Sequence, residues 1–341
     1  MSELLSTEDL ESVIRLTGEI QHRSGSRVEL IADKMETSEP VPGFPMRFTW
    51  QKGLLYELFD RQVDLINQDI ARARSAGRLV VYISCPISSR GGGHAATNVE
   101  IALHTQNRLQ KEWGDRFWFL NPAEYQMESR AGTGLILRHA RQMLAENKIQ
   151  LDEGQTLEML LASLGPQGGD YMRMWTRVLV EDQIEDNTIL QSNSDGTFLR
   201  KIPDEHNLGG CFAGYYFVGP TDAKDFFSVS GAKSISAGVE AYFARKYSVD
   251  PFFRRYFSPN GLDAENIWFV LRQDFLRFYS HRYGANYSLG SHDEWNIWCV
   301  LNKKRIEKLG VGSQISGYFE GHQIDLSSSE YGLSRGYAVP T

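Results

Sequence analysis

The sequence has little cysteine, no surplus of positive charge and no long apolar run, and each shortage removes a class of protein. Its 341 residues include three cysteines, Cys85, Cys211 and Cys299, far apart and without the paired spacing of a metal site. Neither a disulfide framework nor a zinc centre is expected, and a reducing cytoplasm suits such a chain. Lysine and arginine number 36 against 43 aspartates and glutamates, a formal net charge of −7. A nucleic-acid polymer is therefore not expected as partner, because binding a phosphate backbone needs a concentrated basic face. No run approaches the roughly 18 apolar residues that read as a membrane span. The first ten residues are acidic and helical in pattern rather than a basic segment with an apolar core, so neither membrane insertion nor secretion is expected. No internal repeat is visible.

What is present is an ordinary globular composition, 41% hydrophobic and 23% charged, long enough for one large core or two domains. Its most informative stretch is Val80 to His94. A β-branched run, Val80 to Cys85, stops in a polar turn containing Gly91, Gly92 and Gly93, and a helical pattern follows over Ala95–Trp113. Glycines permit close backbone approach, and a helix start presents free N–H groups, so the segment reads as an anion cradle, most naturally for a phosphate. Strand, turn and helix in this order open an α/β unit.

The remaining pattern divides the chain in three. Residues 1–78 read as a mostly helical extension, with helices at Thr7–Gly18 and Gln51–Ala76 interrupted by Pro40, Pro42 and Pro45. Residues 79–250 read as an α/β core. A second strand, Arg116 to Leu120, is stopped at Asn121-Pro122, and a third runs from Cys211 to Val218. Between them, about 123–210, lies an insertion with helices at Leu135–Glu146, Leu157–Leu164 and Tyr171–Glu185 and a polar loop at Gln191–Gly196. A helix beginning near Ser234 places Glu240 in its first turn, beside the stripe Val239, Tyr242, Phe243 and Tyr247. A carboxylate there meets the positive end of the helix dipole. Residues 251–341 read as an aromatic, mostly helical extension packed on the core, with helices at Ala264–Tyr283 and Glu294–Leu309 and a strand-like run near Gln314–Asp325.

Two segments carry a resemblance. Tyr82-Ile-Ser-Cys-Pro-Ile-Ser-Ser-Arg90-Gly-Gly resembles the first-strand signature of the nucleoside 2-deoxyribosyltransferase superfamily, which includes 2′-deoxynucleoside 5′-monophosphate N-glycosidases and CMP hydrolases. Ser234-Ile-Ser-Ala-Gly238-Val-Glu240 resembles its Ser-x-Gly-x-Gly-x-Glu segment. Cys85 and Ser236 stand where the family carries small or glycine residues. The likeness covers about 100 residues, and the order of parts agrees.

The resemblance implies a Rossmann-like (flavodoxin-like) open parallel sheet and cleavage of a base–sugar bond, with no cofactor. Glu240 would be the nucleophile at C1′, because loss of the base leaves positive charge there that a carboxylate traps or stabilises. Asp222, with Asp225 in reserve, would assist the departing base. Ser84, Ser88, Arg90, Gly91, Gly92, Ser234 and Gly238 would line the substrate and its 5′-phosphate, Arg90 supplying a planar permanent cation. The implied partner is a small nucleotide or nucleoside, and the likeness leaves room for a homo-oligomer. Two other functions suit the same residues: a nucleotide sensor without turnover, and cleavage of the nicotinamide–ribose bond of NAD. His94 reads as a helix cap, Cys85 as buried packing, and His292-Asp293-Glu294 as a solvated helix start.

Overall fold

The computed structural model describes residues 35–52, 54–88, 93–127, 166–181, 188–192, 198–204, 206–229, 236–257, 267–325 and 332–340, with four further positions between 138 and 145. The helices expected at Thr7–Gly18 and Leu157–Leu164 lie outside these residues, as does nearly all of Leu135–Glu146. The chain forms two compact units, one holding residues 1–69, 124–181 and 337–341, the other 70–123 and 182–336.

In the first unit, strands β1 (Met35–Ser38) and β2 (Phe48–Gln51) form an antiparallel pair. Helix α1 (Leu54–Ser75) follows and its last residues belong to the second unit. Helix α3 (Gly168–Val180) packs on β2 through a glycine, since a Cβ on Gly169 would fall 1.9 Å from the Thr49 carbonyl oxygen. Of the extension read as mostly helical over residues 1–78, the described part keeps the helix expected at Gln51–Ala76, as Leu54–Ser75, and adds two short strands. The proline cluster connects two strands whose alternation, with Phe48 and Trp50 buried, is only four residues long.

The second unit is a mixed α/β structure of Rossmann-like kind. Its sheet contains β3 (Leu79–Ser84), β4 (Phe117–Leu120), β7 (Phe212–Phe217), β8 (Ser316–Phe319) and β9 (His322–Gln323), in the order β4-β3-β7-β8-β9. The first four run parallel and β9 antiparallel. Helix α2 spans Ala95–Trp113, as the sequence predicts. A separate hairpin, β5 (Thr188–Ser192) and β6 (Phe198–Pro203), replaces part of the expected polar loop, Gln191 and Ser192 being strand residues.

The sheet has helices on both faces because its central strands alternate two sets of buried side chains. Val81 and Ile83 of β3 and Tyr216 of β7 enter one core with residues of α2, α4 (Pro220–Val229), α5 (Ser236–Val249), α6 (Pro251–Phe257) and α7 (Ile267–Arg282). Tyr82, Ser84, Tyr215 and Phe217 point the other way, toward α8 (Leu289–Leu309). Residues 251–341 therefore do not merely pack on a core: they complete it, adding two strands and the helix that covers one face.

A close contact fixes that helix. A Cβ on Gly317 of β8 would lie 2.3 Å from the Trp298 ring, and Trp298 Nε1 donates to the Ile315 carbonyl at 2.9 Å. Gly317→Ala is expected to lower unfolding free energy by about 1–3 kcal/mol through overpacking. Urea denaturation checks this, and an unchanged midpoint would show that the indole has room to move.

Candidate functional site

The C-terminal end of β3 opens the candidate site. Ser88 is exposed, and its carbonyl accepts from Asn98 Nδ2 at 3.2 Å, as does that of Ile87. On the far side of the turn, the His94 N–H donates to Tyr279 Oη at 2.7 Å, and Tyr279 Oη donates to Asn98 Oδ1 at 2.6 Å. A Cβ on Gly93 would come within 2.7 Å of that Asn98 oxygen, so this glycine is required by close packing. Both ends of the turn are thus tied to one asparagine, itself braced by α7. Ser89, Arg90, Gly91 and Gly92 lie outside the described residues, as does Ser234.

His94 is the N-cap of α2, its Nδ1 accepting from the Thr97 N–H at 3.4 Å. Its ring centroid is 6.3 Å from that of Tyr242 on α5. Burial, and secondarily the positive charge of Arg245, lower its pKa. The exit of the glycine turn at His94 therefore lies against Tyr242, in the first half of α5. Glu240 is half-buried. The described helix starts at Ser236 and has no acidic residue in its first turn, so Glu240 falls in the second turn, which corrects the sequence expectation. It precedes Tyr242 by two residues and so lies about 200° round the helix from it, on a different flank from the one facing His94. Gly238 belongs to the same helix.

Asp222 is the third residue of α4 and is 3% exposed. One carboxylate oxygen accepts from the Gly219 N–H at 2.9 Å. The other accepts from Tyr216 Oη at 2.8 Å and pairs with Arg108. Burial raises its pKa, and these three donors oppose the rise. Asp225, more exposed, meets His104 Nε2 at 2.8 Å and Arg108 Nε at 3.7 Å. Both aspartates are thus held in one network between α2 and α4.

The structure also contains a site that sequence reasoning passed over. Glu294, on α8, accepts from Tyr82 Oη at 2.6 Å and from Ser84 Oγ at 2.5 Å, and all three side chains are buried. Its pKa is pushed up to about 7 by burial, against the pull of the two hydroxyls, with the neighbouring charge of Asp293 adding to the rise. Ser84 is thereby turned into the layer under α8. The reading of His292-Asp293-Glu294 as a solvated helix start is corrected for its acids: Asp293 is fully buried and accepts from the Gly336 N–H at 3.0 Å. The signal for Glu294 was its spacing, since Ile297, Trp298 and Leu301 follow at three, four and seven residues.

No family model matches the chain, and neither a curated protein nor a solved structure matches it. Among the described residues there is no group of three or more potential metal ligands from histidine, cysteine, aspartate or glutamate. Nor is any described helix long and apolar enough to cross a membrane. Cys85 is buried as expected, its Sγ 3.7 Å from Asn121 Oδ1.

Proposed function

We propose that the protein is an N-glycosidase or N-glycosyltransferase that cleaves the base–sugar bond of a nucleoside 5′-monophosphate or a related nucleotide, with Glu240 as the carboxylate acting at C1′. The observation that supports this reading is that His94, just past the glycine turn, approaches Tyr242 of the helix bearing Glu240, with ring centroids 6.3 Å apart. The location agrees with the general habit of α/β sheets, whose ligands bind beyond the carboxyl ends of the strands. The turn, with Ser88, Arg90 and its glycines, would hold the phosphate, and the sugar would lie across the N-terminal end of α5 toward Glu240.

The test is incubation of the purified protein with a panel of ribo- and deoxyribonucleoside monophosphates and NAD, with chromatography for free base or nicotinamide. Release of a nucleobase supports the reading, release of nicotinamide alone redirects it to NAD, and no release from any of them sinks it.

A second reading, nucleotide binding without turnover, is favoured by two specific observations. Asp222, the expected acid, already receives three donors, and Glu240 stands on a different flank of α5 from Tyr242. A nucleotide-dependent rise in melting temperature with no released base would support it.

A further inference from the structure

We propose that Glu294 is a positioning residue for the glycine turn: its carboxyl fixes Ser84, the last residue of β3, and its proton couples the order of that strand end to pH.

Tyr82 and Ser84 are two apart on β3 and so share a face of the sheet, and one carboxyl group grips both hydroxyls at 2.6 and 2.5 Å. Ser84 directly precedes the segment that leads into the turn, and its carbonyl accepts from the Val218 N–H at 3.0 Å, tying it to the end of β7. No cation bonds this carboxyl among the described residues. The groups facing it are the Tyr82 phenol and Ser84 from β3, the Tyr215 phenol from β7, and the neighbouring Asp293 on α8, while the Cys85 thiol, just past the end of β3, also feels its charge. The Tyr215 hydroxyl is buried and has no hydrogen-bond partner among the described residues. Arg305, the buried cation of α8, acts on Tyr215. It stands eleven residues from Glu294, about 16 Å along the helix, too far to neutralise it.

A protonated Glu294 can donate to one hydroxyl and accept from the other, and is satisfied without charge. An ionised one leaves a bare charge in the core, and local opening of the strand end relieves it. The sign follows. In the opened state the carboxyl titrates near 4.5, and in the closed state near 7. Closure is therefore firmest below pH 4.5, weakens as pH rises through this window, and levels off above it. The consequence for catalysis rests on reading the turn as the phosphate site, whereas the coupling itself does not.

Hydrogen-exchange mass spectrometry of peptides spanning residues 79–88, corrected for intrinsic exchange rates, tests the coupling without any ligand. In the wild-type protein the opening constant of this segment is expected to rise at least tenfold between pH 5 and pH 7.5, while peptides from β5 and β6 show no such rise. Glu294→Gln, which keeps the shape and removes the charge, is expected to flatten the dependence. Ser84→Ala keeps the carboxyl and removes one donor to its ionised form, so the rise should persist from the same onset and level off at higher pH. A wild-type segment insensitive to pH, or a Glu294→Gln protein that retains the full rise, overturns the proposal. If Glu294→Gln does not fold, the direction of the Ser84→Ala shift decides. Absence of base release in the nucleotide panel bears on the reaction and leaves this result untouched.

Discussion

Glu240→Ala is expected to reduce base release by at least about a thousandfold while leaving nucleotide binding within about threefold of wild type, the pattern of losing a nucleophile rather than a binding contact. The expectation comes from the charge that develops at C1′ as the base departs, which a carboxylate either captures or offsets. On the proposed reading, the turn would hold the phosphate without help from that carboxylate. Binding followed by calorimetry, and release followed by chromatography, should therefore separate in this variant. Glu240→Gln, equally polar and nearly equal in size, is expected to fail just as fully, because its amide cannot form the glycosyl ester. A variant that binds and still turns over would transfer the role to another carboxylate. One that neither binds nor turns over would point to a structural role for Glu240 in α5.

The parts legible in the sequence are those whose local pattern and tertiary environment agree. Helix α2 keeps its expected bounds because Ala102 and Leu109 are buried, and Val99 and Leu103 partly buried, where the periodicity places them. Strands β3 and β7 read as continuous apolar runs because helices cover both faces of the sheet. What stayed hidden was non-local. The glycine-bearing strand β8, Ser316–Phe319, is too short to declare its parallel pairing with β7, which only the tertiary fold supplies.

The candidate site divides in the same way. The glycine turn and the Glu240 segment are readable as motifs, and the described residues on both sides meet at His94 and Tyr242. Whether a given acid is open to a substrate was not readable. Asp222 resembles an exposed helix-start aspartate, yet Tyr216 and Arg108 reach it from other elements. Glu294 was the reverse case: its charge suggested solvent, while its spacing with Ile297, Trp298 and Leu301 placed it on the buried face of α8.

Arg305→Ala is expected to destabilise the second unit by about 3 kcal/mol or more, because the carbonyls of Leu208, Gly209 and Ser313 lose a charged, buried donor together. The guanidinium is 2% exposed. It donates to the carbonyls of Leu208 at 2.7 Å, Gly209 at 2.6 Å and Ser313 at 3.0 Å. Leu208 and Gly209 lie just before β7, and Ser313 just before β8, so one side chain aligns the starts of two adjacent parallel strands. Gly209 adopts φ +66° and Asn207 φ +53°, an irregular turn in which the Gly209 carbonyl also accepts from the Phe212 N–H at 3.1 Å. Burial lowers the guanidinium pKa to about 10, still far above neutrality, so the charge stays in place at physiological pH. Arg305→Lys should recover less than half of the loss, since one ammonium cannot span the three carbonyls that the planar fork reaches. Urea denaturation of the wild-type and both variant proteins checks the order Arg, Lys, Ala. A loss below about 1 kcal/mol for alanine would mean that water enters and satisfies the carbonyls. The same helix thus carries a buried acid near its start and a buried base near its end. The acid grips the C-terminal end of β3 and the base the approaches to β7 and β8. Loss of the base should loosen strand alignment at every pH tested, whereas the effect of the acid should depend on pH.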